Sequence, residues 1–156
     1  MEVNKEKMRE LICYVLKNFE NNVNRDLLLK ILFFSDFDYY NRYKKSITNE
    51  TYKKYPNGPI PIHFTEIKDG LLDEGKIMEC NNSIFSGSKV ELFYCNLDIS
   101  KTNLATDEIE IVDYCVNRLS KSKDAELNNC SLENDSLWCN TEKYEILEYK
   151  MINGQN

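Results

Sequence analysis

Asp36 and Asp38 lie two residues apart in the stretch NRDLLLKILFFSDFDYYNRY, residues 24–43. Paired carboxylates can share a proton and do acid–base work when they face one substrate. On a helix, positions i and i+2 point to different sides, so these two cannot converge. Hydrogen bonding to nearby tyrosines or helix ends is the reading the spacing favours. His63 is the only histidine, and no Ser or Cys with an oxyanion turn accompanies it, so capping or packing is expected of it. The six cysteines, Cys13, Cys80, Cys95, Cys115, Cys130 and Cys139, form no CxxC pair and offer no zinc-ligand spacing. Gly58-Pro59-Ile60-Pro61 lacks the glycine spacing and the Lys-Ser/Thr ending of a phosphate loop. No catalytic, cofactor or metal site is expected, and the chain does not read as an enzyme.

These residues need elements to hold them. The stretch 24–43 has no Gly or Pro and is too long for a strand, so it predicts a helix, capped by Asn24 and followed by Lys44 and Lys45 at its negative end. Leu28, Ile31, Leu32 and Ser35 form one stripe, and Leu29, Phe33, Asp36 and Tyr40 form another. A helix apolar around most of its circumference belongs at the centre of a fold. Its Phe/Tyr cluster could stack single-stranded nucleic acid only beside a basic groove. The net charge of −6 argues against that groove, so core packing is the favoured reading.

Met8, Leu11, Ile12, Val15, Leu16 and Phe19 predict an amphipathic helix over 5–19. The prolines and Asn57-Gly58 of residues 46–63 predict an ordered loop anchored by Ile47, Tyr52, Tyr55, Ile60 and Ile62. A helix is expected over 63–74 with Gly75 as its stop, then strands over 76–80 and 89–95 joined by the turn-like segment NNSIFSGS. Thr106 is expected to cap a helix with the stripe Ile109, Val112, Cys115, Val116 and Leu119. A shorter helix follows over 123–130, then a polar loop around Trp138 and a strand over 144–149. This amounts to an α+β, predominantly helical fold: one domain over 1–150, about five helices around a buried central one with a small β-hairpin or antiparallel sheet, and a frayed tail over 151–156. The 42% hydrophobic and 29% charged content fits a globular domain. The charged, amphipathic start and the lack of a long apolar run predict a cytoplasmic protein with reduced thiols and no membrane span.

Leu29-Lys30-Ile31-Leu32-Phe33-Phe34-Ser35-Asp36-Phe37-Asp38-Tyr39-Tyr40 resembles the K-L-L-Y-F-A-D-like helix of the SocA-like antitoxin family, also called the Panacea domain. Ile47-Thr48, Thr51-Tyr52 and Tyr55-Pro56-Asn57-Gly58-Pro59-Ile60-Pro61 match its I-T-G-D-x-Y…Y-G-P-V-P segment. Ser136-Leu137-Trp138 and Glu145-Ile146-Leu147-Glu148-Tyr149 resemble its closing Trp motif and strand. The chain departs at Asn49-Glu50, where the family often has Gly-Asp, and at Leu137, where it often has Pro; its frequent His before the Trp is absent. The resemblance implies an antitoxin of a bacterial or prophage toxin-antitoxin system that neutralises a co-encoded toxin by direct protein–protein binding. It also leaves open an adaptor delivering a toxin to a Clp-type protease, or a phage or mobile-element inhibitor of a host defence protein. No nucleic-acid partner and no operator binding are expected. Interfaces centre on buried aromatic anchors, so Tyr52, Tyr55, Gly58, Pro59 and Trp138 are the candidate partner contacts, with Gly58 and Pro59 shaping the loop.

Overall fold

The computed structural model describes residues 2–80, 84–85, 88–89, 91–97, 102–121 and 136–149. The fold is α+β and mostly helical, with small antiparallel sheets. Helix α1 (Lys5–Lys17) starts where the Asn4 side chain accepts the Lys7 N–H, and buries Met8, Leu11, Ile12, Cys13, Val15 and Leu16. Strand β1 (Val23–Asn24) runs directly into α2 (Arg25–Tyr43). Asn24 caps α2 as expected, accepting the Leu27 N–H at 2.8 Å. Lys44 closes it in the left-handed conformation, its N–H on the Tyr40 carbonyl. Every residue from Leu28 to Phe37 is buried, because α2 is wrapped by α1, by a later helix over 106–120 and by a hairpin over 52–61.

That hairpin corrects the expectation of a loop after α2. β2 (Tyr52–Tyr55) and β3 (Gly58–Pro61) pair antiparallel, Tyr52 opposite Pro61 and Tyr55 opposite Gly58. Ile62 N–H donates to the Thr51 carbonyl, so the hydrogen-bonded pairs along this ladder are 51/62, 53/60 and 55/58. Pro59 and Pro61 therefore fall at the pairs in between, where a missing N–H costs the hairpin nothing. Helix α3 (Phe64–Asp73) follows and ends before Gly75, whose φ is +72°.

β4 (Met78–Cys80) and β7 (Leu92–Tyr94) form the expected antiparallel pair, and β1 joins on the other side of β7. Phe93 and Cys95 face the core. Part of the expected turn NNSIFSGS instead pairs as β5 (Ile84–Phe85) with β6 (Ser88–Lys89). Helix α4 (Thr106–Ser120) is capped at Ala105, not Thr106: the Ala105 N–H donates to the Glu108 carboxylate at 2.7 Å. Residues 136–140, expected in a loop, form the short helix α5 (Ser136–Asn140). Strand β8 (Ile146–Leu147) then pairs with β2, giving the sheet order β3-β2-β8. The helix expected over 123–130 and the tail 151–156 lie outside the described residues. No described helix is long and apolar enough to cross a membrane.

Candidate functional site

Asp36 points from α2 into the segment leading to β2. One oxygen accepts the Ile47 and Thr48 N–H groups at 3.0 and 2.9 Å, and the other accepts the Thr48 and Tyr52 hydroxyls, both at 2.6 Å. Burial pushes its carboxyl up to about 6, against the downward pull of the Thr48, Tyr52 and Ile47 hydrogen bonds. Asp38 faces the other way, toward Cys115 and Arg118 of α4, as the i, i+2 geometry requires. His63 Nδ1 lies 2.8 Å from Oε1 of buried Glu50, which also accepts the Thr51 N–H, and Tyr149 donates its hydroxyl to the Glu50 carbonyl. Asp36, Glu50 and His63 thus fasten residues 46–51 to the helices on either side. Among the described residues, no cluster of His, Cys, Asp and Glu suits a metal ion.

The network fixes the hairpin against α2 and divides the residues of β2 between two faces. Tyr52 and Lys54 take the inner face. Tyr52 is fully buried, wedged edge-on against Phe33 and Phe37, with its hydroxyl on Asp36 and the Leu32 carbonyl. It is a core residue, so the expectation that its side chain meets a partner is corrected. The Lys54 ammonium donates to the Trp138 and Thr141 carbonyls at 2.7 and 2.9 Å and sits 4.8 Å from the centre of the Trp138 ring. That clamps α5 to the sheet and leaves Trp138 half-buried.

Lys53 and Tyr55 take the outer face. The register sets Ile60 and Ile146 beside Lys53 and Gly58 opposite Tyr55, and carries Ile62 to the same side. Tyr144, just before β8, meets the Tyr55 ring edge-on at 5.5 Å. Ile62 is 50% exposed, Tyr144 57% and Ile146 44%. Three of the five large exposed hydrophobics among the described residues therefore lie on or beside this one small sheet face. Scattered apolar residues on a surface are ordinary; a contiguous group is the usual mark of an interaction site.

Of the sequence-predicted contacts, Tyr55 lies on this face, and Trp138 lies behind the sheet on Lys54. Gly58 and Pro59 are buried at the turn, where they line a cavity of about 130 Å³ with Arg25, Asp26, Leu29, Lys30, Asn57 and Ile60. Sequence reasoning missed Tyr144 and Ile146, and assigned Ile60 and Ile62 to anchoring the loop. The alternation Lys53/Tyr55 and Ile60/Ile62 was available as a signal, but it acquires meaning only once the prolines are placed on a strand.

Residues 28–139 match the family model described as antitoxin SocA-like, Panacea domain. No curated protein and no solved structure matches the chain. The match runs from the buried part of α2 through the hairpin to α5, well over half of the 156 residues. On that extent, the chain belongs to the SocA-like antitoxin family and carries its Panacea domain.

Proposed function

We propose that this protein is the antitoxin of a toxin-antitoxin pair and neutralises a co-encoded protein toxin by binding it on the outer face of the sheet β3-β2-β8. The observation that carries the reading is the exposed group Tyr144, Ile146 and Ile62 around half-buried Tyr55, on a sheet held rigidly from behind by the Asp36 network. A rigid, partly aromatic patch suits an anchor-type interface, because its side chains surrender little conformational freedom on binding. The toxin is met in the bacterial cytoplasm.

The test is co-expression with the neighbouring gene, followed by a growth assay and pull-down. The neighbour alone should arrest growth, and this chain should restore growth while forming a stable complex. Ile146→Asp combined with Tyr144→Ala should keep the fold, because both side chains are exposed, and should abolish rescue. Full rescue by that folded double variant would move the interface elsewhere. Growth restored by disappearance of the toxin, with no complex, would contradict neutralisation by direct binding.

A further inference from the structure

Two of the free cysteines meet inside the fold, on elements that lie far apart in the sequence. Cys13 is a buried residue of α1, and Cys95 directly follows β7. α1 packs against β7, and the two cysteines are each only 7% exposed. Their thiols share a hydrogen bond. Burial above all, and then the charge and the hydrogen bond of Cys95, push the Cys13 thiol up to about 12, so it stays protonated at neutral pH. A cavity of about 620 Å³ opens beside the pair. Cys95 is in its wall with Tyr94 and Asn96, and so is Lys17, one turn beyond Cys13 on the same side of α1. Cys115, by contrast, is buried in α4 with its sulfur 3.4 Å from Asp38.

We propose that Cys13 and Cys95 are an oxidisable pair, which hydrogen peroxide entering this cavity converts to a disulfide that fastens α1 to β7. Buried cysteines often serve a core simply as small apolar side chains. Two observations select oxidation here: the thiols touch each other, and one of them borders space that a small oxidant can enter. Cys95 Sγ attacks the peroxide. An S–O bond forms, the O–O bond breaks, and the leaving hydroxide takes the thiol proton to become water. Cys13 Sγ then attacks the Cys95 sulfenic acid. The S–S bond forms, the S–O bond breaks, and the departing hydroxide takes the Cys13 proton as a second water. The two sulfurs lose two electrons and the peroxide gains them. The order follows from position, since Cys95 is in the cavity wall and Cys13 is not. In a reducing compartment such a bond is transient, which suits a sensor rather than a permanent staple. While it lasts, it pins α1, which also packs on α2 and α3, and it restricts the unfolded chain.

The experiment treats the folded full chain with a small excess of hydrogen peroxide, blocks the remaining thiols and maps the unreduced peptides by mass spectrometry. A peptide holding Cys13 should appear linked to one holding Cys95, lighter by two hydrogens than the separate pair. In non-reducing buffer the melting temperature should rise by roughly 5–15 °C, and dithiothreitol should reverse the rise. Two variants test the order of attack with dimedone, which captures sulfenic acids. Cys13→Ala should leave Cys95 oxidised but unable to close the bridge, so dimedone should label Cys95. Cys95→Ala should leave Cys13 unlabelled. Peroxide treatment that yields no linked peptide in the folded parent overturns the proposal, whether or not either variant folds. So does a link that forms only in urea, or one that joins Cys80 or Cys139 in place of this pair. Dimedone on Cys13 in folded Cys95→Ala would overturn the assignment of Cys95 as the attacking thiol.

Discussion

At the scale of residues, Asp36 decides how the hairpin meets the central helix. Its two oxygens satisfy four buried donors on the segment beyond the helix. Asp36→Ala would strand the Ile47 and Thr48 N–H groups and the Thr48 hydroxyl proton, leaving the Tyr52 hydroxyl only the Leu32 carbonyl, at a cost of about 3–5 kcal/mol. Asp36→Asn should cost much less. Its carbonyl can keep both N–H groups, while its amide can donate to the Thr48 and Tyr52 hydroxyls, and the Tyr52 hydroxyl can still donate to the Leu32 carbonyl. Urea unfolding of the two variants checks this order, and equal midpoints would contradict it.

The same carboxyl gives stability a pH dependence with a definite sign. Its ordinary value near 3.8 holds in the unfolded chain, whereas the folded chain keeps the proton up to about pH 6. Between these values the native state binds more protons, so the Asp36 contribution is largest below pH 4 and falls as pH rises to about 6. The loss amounts to about 3 kcal/mol at most, because holding a proton tenfold more tightly is worth about 1.4 kcal/mol. Tyr52 and Tyr149, pushed upward by burial, do not titrate in this window. Subtracting the urea midpoints of Asp36→Asn from those of the parent at pH 4, 5 and 6 should expose the slope. Parallel curves would mean that Asp36 is ionised throughout. The sequence already pointed Asp36 toward a tyrosine. It could not show that the tyrosine would be Tyr52, because a phenol reads as a surface anchor until a buried acceptor is placed beside it.

At the scale of elements, α2 was the most legible and the hairpin the least. Asn24, the uninterrupted apolar wrap and the absence of Gly and Pro all specify one long buried helix, and the structure has it within a residue of expectation. The prolines and Asn57-Gly58 read as breakers of regular structure, and proline in a strand does remove a ladder donor. That argument fails at an outer edge where the missing N–H points away from the partner strand, as the register shows. β1 and α5 are so short that no periodicity can announce them. The outer sheet face inherited the same difficulty, since its residues share a side only after the ladder exists.

The prolines leave β3 with no outward N–H donors at those two positions, which blunts it as a template for another strand. Pro59→Val with Pro61→Val should therefore fold and self-associate more than the parent with rising concentration, measured by light scattering. Identical behaviour would remove the protective role. Gly58 has φ +140° at the turn of this hairpin, a conformation that side chains rarely adopt. Gly58→Ala should cost about 1–3 kcal/mol, read as a lower melting temperature.

At the scale of the molecule, the last part of the chain completes structure begun near its middle. The family match stops at residue 139, yet β8 pairs with β2 beyond that point. Leu147 is 1% exposed, and the Tyr149 ring stacks on Phe37 at 4.2 Å while its hydroxyl reaches the Glu50 carbonyl at 2.7 Å. A chain ending at 139 would uncover Phe37 of the central helix, turn β2 into a second open edge, and remove Tyr144 and Ile146 from the outer face. Burial of Leu147 alone is worth about 1.5–3 kcal/mol, and the Tyr149 stack and hydrogen bond add about 2 kcal/mol together. Against a typical total of about 5–15 kcal/mol, that loss is large. Truncation after residue 139 should lower the melting temperature by roughly 10 °C or more and broaden the transition. It should abolish toxin neutralisation even at temperatures where the remainder stays folded, because half of the proposed contact face is gone. A truncated chain that melts like the parent would show that β8 adds little to the fold. One that still rescues growth would place the toxin contact elsewhere on the chain.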